Sequence, residues 1–568
     1  MITGKVVQKE PENRKEPFRL EAWERLIQDP ENMAAALFII AMAVYYLWRM
    51  LYLTPWYDEL YTYYYFISRG PLYAAIHWPL PNNHVGYSVL SAVLNLCGNP
   101  YIGLRGVSWL CAVSNLIILY RICKSYFTNW LSLFTVMIYS GLQLVNQLSV
   151  QGRGYTLSTL CFLLSVKVLA DLSRIGYTGI SRYVYLVMLL VLGLYTVPSS
   201  IYWVIPVCFA TVLFLTINGL RIRKISRTVS ENKYWQQLIN LIVTGLIAAI
   251  FTLMLYMIIW LAVGSNLLMK DKTSSMYGMG HLHIILHAPL TVIGRGIEYM
   301  ISSPYIQSVP RQEFLQKFWG YIVSLDDQFV PGAGIAVFVI IVLATVIMIS
   351  GCVFHFEESR TSFRLIFSCT ILFMPLMLIA QSKLPYYRVF SYYGIVIALS
   401  CTVIIRHVMF MLHFLFEKHR QEKNLPQKIQ PAEKKMHIWT YMHQMIPVLL
   451  GVAFLISQTL NPAFFAQLGT REDNAYLALL MAHPQQRSKL CVCDVDQKYL
   501  LKFGWNMECD NTQVEGSDCV ILDRNMTKAG YQGEDLWKYY QTYETIPWGY
   551  IRTMHVIYEN DDFILYVK

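Results

Sequence analysis

Charged residues are scarce in this chain. They make up 14% of its 568 residues, whereas hydrophobic residues make up 55%. This balance excludes a water-soluble protein of such length and predicts an α-helical polytopic membrane protein. The net charge of +10 does not indicate nucleic-acid binding, because the basic residues occur in short clusters between apolar segments, where membrane proteins carry their cytoplasmic loops.

Motifs for metal binding and for secretion are also missing. No Cys-x-x-Cys pair with zinc spacing occurs among the 12 cysteines, and no Asp-x-Asp motif occurs in residues 56–105. The sequence therefore predicts no obligatory metal cofactor and leaves a divalent cation open as an alternative. No early apolar run precedes residue 33, which predicts that no signal peptide is cleaved and that the first apolar segment is an anchor.

Eleven apolar segments are predicted to cross the membrane within a domain of residues 33–459. They lie near residues 33–53, 106–123, 130–147, 154–171, 183–198, 200–219, 236–264, 331–354, 363–381, 388–410 and 437–459. With a cytoplasmic tail over residues 1–32, this topology puts the basic clusters between spans on one side, as the positive-inside rule requires. Residues 54–105, 265–330 and the chain after 459 are then predicted to lie outside.

Residues 84–97 are predicted to lie along the membrane surface. As a helix, these 14 residues reach about 21 Å, whereas the hydrocarbon core is about 30 Å thick. Counting the segment as a span would also invert every later loop and put the basic clusters outside. Its apolar residues recur near helical spacing, and residues 56–69, which Gly70-Pro71 close, are predicted to form a second interfacial helix.

The composition turns polar after residue 459, and residues 460–568 are predicted to form a small α/β domain outside the membrane. Strands are predicted over residues 490–495, 518–522 and 555–567, with helices near 475–482 and 535–543. The cysteines of this domain are even in number, and the sequence leaves disulfides and free buried thiols equally open. They are Cys491, Cys493, Cys509 and Cys519.

The adjacent acids Asp58 and Glu59 follow the first span and are the leading catalytic candidates. Carboxylates at the rim of a bilayer are costly unless a partner or a task holds them there. For Glu59 the sequence favours a simpler interpretation, an acid that lies in water at the membrane boundary or supports Asp58.

Cationic candidates lie in segments predicted to reach the outer side. Arg153 stands between two glycines at the start of a span, where an arginine costs about 2.5–3.5 kcal/mol. It is predicted either to face a polar cavity with an anionic partner or to lie at the interface. Lys383 and Arg388 lie at the mouth of the tenth predicted span. Two or three cations near one carboxylate suit an anionic lipid headgroup, because arginine binds phosphate through two donors.

The order of these motifs resembles that of the GT-C superfamily of integral-membrane glycosyltransferases. Within it, the chain is most similar to bacterial relatives of protein O-mannosyltransferases and of the lipid A aminoarabinose transferase. The matching residues are Asp58-Glu59, the turn Pro81-Asn82-Asn83-His84, Gly152-Arg153-Gly154-Tyr155, and Pro385 to Arg388. Relatives often carry His-Pro-Pro or Lys-Pro-Pro in the turn, and this chain departs from them with Asn-Asn-His-Val.

The resemblance implies transfer of a sugar from a polyprenyl-phosphate donor to an acceptor hydroxyl at the outer face of the membrane. It favours a bacterial inner membrane, with the endoplasmic reticulum as the alternative. Asp58 is then the general base, and direct displacement inverts the anomeric carbon. The acceptor is a lipid, a glycan or a protein. The expected phosphate-binding residues are Arg153, Arg388, Lys383 and His84. The expected substrate-lining residues are Tyr57, Tyr61, Asn83 and Tyr155, although tyrosines also collect at membrane interfaces.

The main alternative is a transporter or flippase of a lipid-linked sugar, which would also use outward cations and an apolar groove. Transporters place ionisable groups near the membrane midplane and carry internal repeats. Here the charges concentrate at the predicted outer rim, and the sequence shows no repeat. A third hypothesis is a lipid-binding scaffold without chemistry, in which Asp58→Asn leaves function intact.

Overall fold

The structure is a computed structural model. It describes residues 29–77, 83–128, 130–173, 179–223, 233–262, 275, 281–294, 307–354, 358–422, 431–466, 471–487, 489–493, 495–509, 513–532, 540 and 542–568. The described residues form a helical body, which is followed by a small α/β domain with a four-stranded sheet.

Four helices open the described chain. They are α1 (Pro30–Tyr52), α2 (Tyr57–Tyr65), α3 (Pro71–Ile76) and α4 (Val85–Leu94). Asp29 caps α1, since its side chain accepts the N–H of Glu31 at 3.0 Å, and Pro30 takes the first helical position, where no N–H is needed. Gly70, with a φ of 97°, allows the sharp turn between the end of the α2 segment and α3.

Thirteen further helices of the described chain form the rest of the body. They are α5 (Pro100–Tyr126), α6 (Leu131–Gly141), α7 (Gln143–Leu148), α8 (Tyr155–Leu172), α9 (Ile180–Thr196), α10 (Ile201–Arg223), α11 (Lys233–Ala262), α12 (His281–His287), α13 (Arg311–Phe329), α14 (Gly334–Phe354), α15 (Glu358–Gln381), α16 (Tyr393–Glu422) and α17 (Pro431–Thr459). Two short strands, β1 (Gln307–Ser308) and β2 (Lys383–Leu384), pair antiparallel.

Eight helices of the described chain are long and apolar enough to cross a membrane: α1, α5, α8, α10, α11, α14, α15 and α16. Many large apolar side chains on them are exposed, as on α11 and α14, which lipid would cover and water would not. The protein is therefore an integral multi-pass membrane protein. Each of the eleven predicted spans overlaps a helix in the part of the chain that the structure describes. Three of these helices are apolar but too short to belong to the eight: α6, α9 and the apolar part of α17.

One predicted span is not a continuous helix. The segment near 130–147 is divided between α6 and α7, because Leu142 has an extended backbone with φ −68° and ψ 128°. The hydrophobic pattern alone could not reveal this break, since Leu142 is itself apolar and fully buried.

Helix α4 has the amphipathic form predicted for a helix along the membrane surface. Leu90 and Val93, with Leu96 just beyond the helix, are exposed, whereas Val85 and Tyr87 pack inward. The side of the membrane on which α2 and α4 lie stays a prediction from loop charge.

The C-terminal domain contains β3 (Leu490–Val492), β4 (Cys519–Asp523), β5 (His555–Glu559) and β6 (Phe563–Val567), with α18 (Arg471–Ala482), α19 (Val495–Trp505) and α20 (Trp548–Ile551). The strand order is β3-β4-β6-β5, with β3 parallel to β4 and the other pairs antiparallel. The predicted strands and the helix near 475–482 are present. Helix α19 was not predicted, and most of the helix predicted near 535–543 lies outside the described residues.

The four cysteines of this domain are free thiols in the structure, and all are buried. Burial raises the pKa of Cys491 to about 12 and that of Cys519 to about 11. Of the two alternatives that the sequence left open, the structure has the free thiols, which pack as small apolar side chains.

Candidate functional site

The candidate site is centred on Asp58, in the first turn of α2. Its Oδ2 accepts a hydrogen bond from Nη2 of Arg388 at 3.2 Å and lies 3.9 Å from Nη2 of Arg153. The Asp58 side chain is 18% exposed, so that it is paired and still accessible. Three residues that the sequence singled out separately therefore lie together, although they are distant in the chain.

Two glycines let the chain bring Arg153 to this position. A Cβ at Gly154 would lie 2.4 Å from Cγ2 of Thr196, and one at Gly152 would lie 2.6 Å from Cδ1 of Leu104. The Arg153 guanidinium is then fixed to α2, because its Nη1 donates to Oγ1 of Thr62 at 2.8 Å. The Gly-Arg-Gly sequence is thus a close-packed crossing that directs one cation toward Asp58.

Arg388 lies in a short 3₁₀ turn, Tyr387–Phe390, just before α16. Its guanidinium carbon is 4.7 Å from the ring centroid of Trp56 and 4.8 Å from that of Tyr386. The hydroxyl of Ser391 donates to the Tyr155 carbonyl at 3.2 Å, which ties the turn to α8. Arg388 is therefore held on a rigid support next to Asp58.

His84 completes the cluster and is only 7% exposed. Its Nδ1 accepts the backbone N–H of Gly154 at 2.8 Å, which assigns the proton of the neutral ring to Nε2. Burial, followed by the charges of Arg153 and Arg388, holds the pKa of His84 well below its usual range, so the ring is neutral. Nε2 then faces Nη2 of Arg153 at 3.2 Å, and both groups are donors. Two donors so close favour an oxyanion that accepts from both.

Glu59 does not lie in water, which corrects the expectation from the sequence. Its side chain is fully buried and forms a two-point ion pair with Arg105, whose Nε and Nη2 donate to Oε1 and Oε2, each at 2.8 Å. The backbone N–H groups of Trp56 and Gly152 also donate to it, at 2.9 and 2.5 Å. With both oxygens occupied, Glu59 joins α2 to α5 and to the segment before Arg153, and is not placed to act on a substrate.

Asn83 is also a structural residue and does not line an open site. Its side-chain amide donates to the carbonyls of Ala74 and His77 at 3.0 and 2.9 Å, and its Oδ1 accepts from Ser88 at 2.7 Å. Asn83 therefore fixes the end of α3 to the start of α4 and holds its neighbour His84. Pro81 and Asn82 of the same predicted turn lie outside the described residues.

The three tyrosines expected to line the site differ in position. Tyr155 is buried and packs edge-on against His84, with 4.9 Å between ring centroids. Tyr61 is 7% exposed and stacks on Tyr65 at 4.3 Å. Tyr57 is partly exposed and immediately precedes Asp58. Contact between these rings and a sugar stays a prediction.

Lys383 is not part of the hydrogen-bonded cluster. It begins β2, and its Nζ is buried without a hydrogen-bond partner in the part of the chain that the structure describes. Burial lowers the pKa of this amine. A buried ammonium group without a partner is costly, and a nearby anion would relieve that cost.

Sequence reasoning missed Thr62, Trp56 and the pairing of Arg105. Thr62 follows Asp58 by four residues and so shares its helix face, a signal that was available. Trp56 was only the first residue of the predicted interfacial helix, and no role was predicted for it. The partner of Arg105 is separated from it by 46 residues, and nothing in the local pattern indicates it.

Among the described residues, no group of three or more His, Cys, Asp or Glu side chains is arranged to hold a metal ion. The chemistry of the candidate site points the same way, because its one accessible carboxylate lies between two guanidinium groups that would repel a cation. Independence from metal stays a prediction.

No protein-family model and no curated protein matches the chain. Solved structures of the archaeal oligosaccharyltransferase AglB from Archaeoglobus fulgidus are similar to it. One, in complex with an inhibitory peptide and a dolichol-phosphate, has a TM-score of 0.43 and 11% identity, with 82% of this chain and 63% of that chain covered.

A second oligosaccharyltransferase structure from the same archaeon, in complex with Zn and sulfate, has a TM-score of 0.44 and 10% identity, with coverage of 82% and 61%. A third, tethered to an acceptor peptide with an NVT sequon, has a TM-score of 0.40 and 12% identity, with 82% of this chain and 58% of that chain covered. The chain thus spans about three fifths of the length of these proteins. The resemblance of this chain to the GT-C superfamily, and to its bacterial relatives in particular, stays a prediction. At these identities, the function has to be inferred from the residues of this chain.

Proposed function

We propose that the protein is a membrane glycosyltransferase that moves a sugar from a polyprenyl-phosphate donor to an acceptor hydroxyl at the outer face of a bacterial inner membrane. The observation that carries the proposal is the set of donors around one accessible carboxylate. Arg153 and Arg388 both approach Asp58, and the Nε2–H of His84 faces Arg153. A base beside a group of phosphate-binding donors is what this transfer needs.

The donor phosphate competes with Asp58 for the two guanidinium groups. Arginine binds phosphate through parallel N–H donors, and the Nε2–H of His84 adds a neutral donor. When the phosphate takes these contacts, the Asp58 carboxylate is released from its cationic partners, and its oxygens become free to accept the proton of the acceptor hydroxyl. Donor binding thus prepares the base, which predicts that the donor binds before the acceptor reacts.

In the chemical step, the acceptor oxygen attacks the anomeric carbon from the face opposite the phosphate. The bond from this carbon to the phosphate oxygen breaks, and its electron pair leaves with the polyprenyl phosphate. Asp58 takes the proton of the acceptor hydroxyl, a role that contributes about 10²–10⁴-fold. The arginines stabilise the negative charge that develops on the leaving phosphate. One direct displacement inverts the anomeric carbon.

The proposal is tested by reconstituting the full chain in vesicles with a panel of polyprenyl-phosphate hexoses and pentoses and a set of lipid, glycan and peptide acceptors. We expect release of free polyprenyl phosphate, detected by mass spectrometry, and its loss in Asp58→Asn. Asp171→Asn is the matched control, because Asp171 also pairs with an arginine, Arg182, at 2.8 Å, away from the site.

Movement of the labelled donor across the bilayer without release of polyprenyl phosphate from any donor would contradict the proposal and favour the flippase. Equal amounts of product from wild type and Asp58→Asn would exclude Asp58 as the general base.

A further inference from the structure

A groove opens between α1 and α5, at the end of this helix pair that lies away from Asp58. Its volume is about 530 Å³, within the range of about 300–1,000 Å³ that is usual for ligand sites. At this end the Tyr120 hydroxyl of α5 donates to Oδ1 of Asn32 of α1 at 2.6 Å. At the opposite end Arg105 of α5 pairs with Glu59, next to Asp58. The groove is therefore separate from the candidate site.

The walls of the groove are apolar, and one of them is built of small residues. On α1 it is lined by Ala35 and Ala36, with Ile39 and Ile40 one turn further along, and on α5 by Ile117. Residues three and four apart share one face of a helix, so each wall is a single helix face. Ile40 is 60% exposed and Ile117 is 36% exposed. In a membrane protein, such side chains are covered by lipid, so the groove opens to the lipid phase.

Polar side chains rim the groove where the two helices end. Arg121, Lys124 and Ser125 lie in the last two turns of α5. The Nζ of Lys124 is already paired with Oδ2 of Asp29 at 2.9 Å and with Glu31. The exposed guanidinium of Arg121 has no hydrogen bond or ion pair in the part of the chain that the structure describes. The rim therefore offers one guanidinium group to a ligand, while both nearby carboxylates are held by Lys124.

We propose that this groove binds one phospholipid, with an acyl chain between α1 and α5 and the phosphate on Arg121. The groove has the polarity of a lipid, because Ala36 and Ile117 lie one helical turn, about 5 Å, further from the helix ends than the polar rim. Loop charge predicts that this rim is cytoplasmic, which assigns the lipid to the inner leaflet. The proposal does not depend on the proposed function.

The two parts of the groove together select a phospholipid over simpler ligands. Arginine binds phosphate through parallel N–H donors, so a phosphate supplies the partner that Arg121 lacks. A free phosphate would leave the apolar walls without a ligand, and an uncharged lipid would leave the guanidinium without a partner. A phospholipid satisfies both, and one guanidinium group at the rim suits one headgroup.

Native mass spectrometry of the full chain in detergent tests the proposal. Phosphatidylglycerol is the probe, and a monoglucosyl diacylglycerol with the same acyl chains is the phosphate-free comparison. We expect the first phosphatidylglycerol to bind wild type about tenfold more tightly than the glycolipid, since a hydrogen bond to a charged group contributes about that much. Arg121→Gln should abolish this preference. Ala36→Phe should weaken binding of both lipids about tenfold, because its ring takes the place of the chain.

Two variants serve as matched controls and should bind both lipids as wild type does. Arg182→Gln removes another arginine that is predicted to be cytoplasmic and that pairs with Asp171 outside the groove. Leu37→Phe adds a ring to the residue next to Ala36, which is 63% exposed and does not line the groove. Thermal unfolding shows whether each variant is folded, and the smaller change Ala36→Leu replaces Ala36→Phe if that variant is not.

Three results would overturn the proposal. Equal affinity of wild type for the two lipids, or an unchanged preference in Arg121→Gln, would exclude the phosphate contact. Unchanged binding in Ala36→Phe would exclude the acyl chain from the groove, and a groove already covered by another part of the chain gives this same result. A dimer mass that disappears in Ala36→Phe would make a second copy of the chain the occupant instead of a lipid.

Discussion

Two neighbouring acids, Asp58 and Glu59, each pair with arginine, yet the two ion pairs lie in different surroundings. Glu59 is fully buried, and Arg105 meets both its oxygens at 2.8 Å. Asp58 is 18% exposed, and its contacts with Arg388 and Arg153 are longer, at 3.2 and 3.9 Å. One pair is closed and the other is accessible.

The number of charges also differs between the two pairs. Around Glu59, one carboxylate meets one guanidinium and two backbone N–H groups, and Arg105 donates its remaining hydrogens to the carbonyls of Met50, Leu53 and Thr54. Around Asp58, two guanidinium groups share one carboxylate. A balanced and fully bonded pair fixes the fold, whereas an excess of donors at an accessible position suits an anionic substrate.

The largest expected effect comes from breaking the closed pair. Arg105→Ala leaves the Glu59 carboxylate buried without its partner, which costs about 3–5 kcal/mol. We expect a large fall in thermal stability and in the yield of folded protein, measured in detergent by fluorescence. Asp58→Asn is the comparison and should unfold close to the wild type, because its site is accessible to water.

A similar melting temperature for Arg105→Ala and wild type would show that the Glu59 pair does not hold the fold. The comparison between the two acids would then have no energetic basis.

Much of the site could be predicted from the sequence. Its residues occur in short motifs, and the charge of the loops predicts that these motifs lie on one side of the membrane. Asp58, Arg153, Arg388 and His84 were identified in this way, and the structure brings them together. The burial of Glu59 could not be predicted, since it depends on Arg105 from another helix. The stacking of Tyr499 on Tyr64 depends on how the whole C-terminal domain packs against α2, for which the sequence carries no local signal.

The second expected effect is on the accessible pair. Arg388→Lys keeps the charge and removes both the planar donors and the stacking on Trp56, which lies 4.7 Å away. We expect the donor KM to rise about tenfold to a hundredfold, because a charge-assisted bond contributes about 1.5–3 kcal/mol. Initial rates against donor concentration measure it. Arg182→Lys, in a surface pair with Asp171, is the control, and an unchanged donor KM in Arg388→Lys would exclude Arg388 from phosphate binding.

A third carboxylate extends the comparison to an acid that has no arginine beside it. Asp326, in α13, is fully buried, and neither of its oxygens has a hydrogen-bond partner among the described residues. Burial raises its pKa from 3.8 to about 8, so the folded protein holds the proton more tightly than the unfolded chain. The contribution of Asp326 to the free energy of unfolding is then largest below pH 4, decreases as the pH rises toward 8, and is constant above that.

Asp326→Asn removes this titration, and we expect it to unfold at a higher temperature than wild type at pH 8 by an amount equivalent to about 1–3 kcal/mol. Thermal unfolding between pH 5 and 9 measures the difference. Parallel curves for the two proteins across this range would mean that the Asp326 carboxyl finds a partner when it ionises.

The smallest expected effect is that of metal removal, which separates the two ways in which a lone carboxylate can serve a phosphate-dependent reaction. If Asp58 acted through a divalent cation, that cation would have to bind beside Arg388 and Arg153, and like charges so close oppose this. We therefore expect turnover of the polyprenyl-phosphate sugar to be unchanged after treatment with EDTA, and unchanged again when Mg²⁺ or Mn²⁺ is added. Loss of turnover with EDTA and its recovery with either ion would make Asp58 a metal ligand, and the arginines would then have to move away from it before the donor binds.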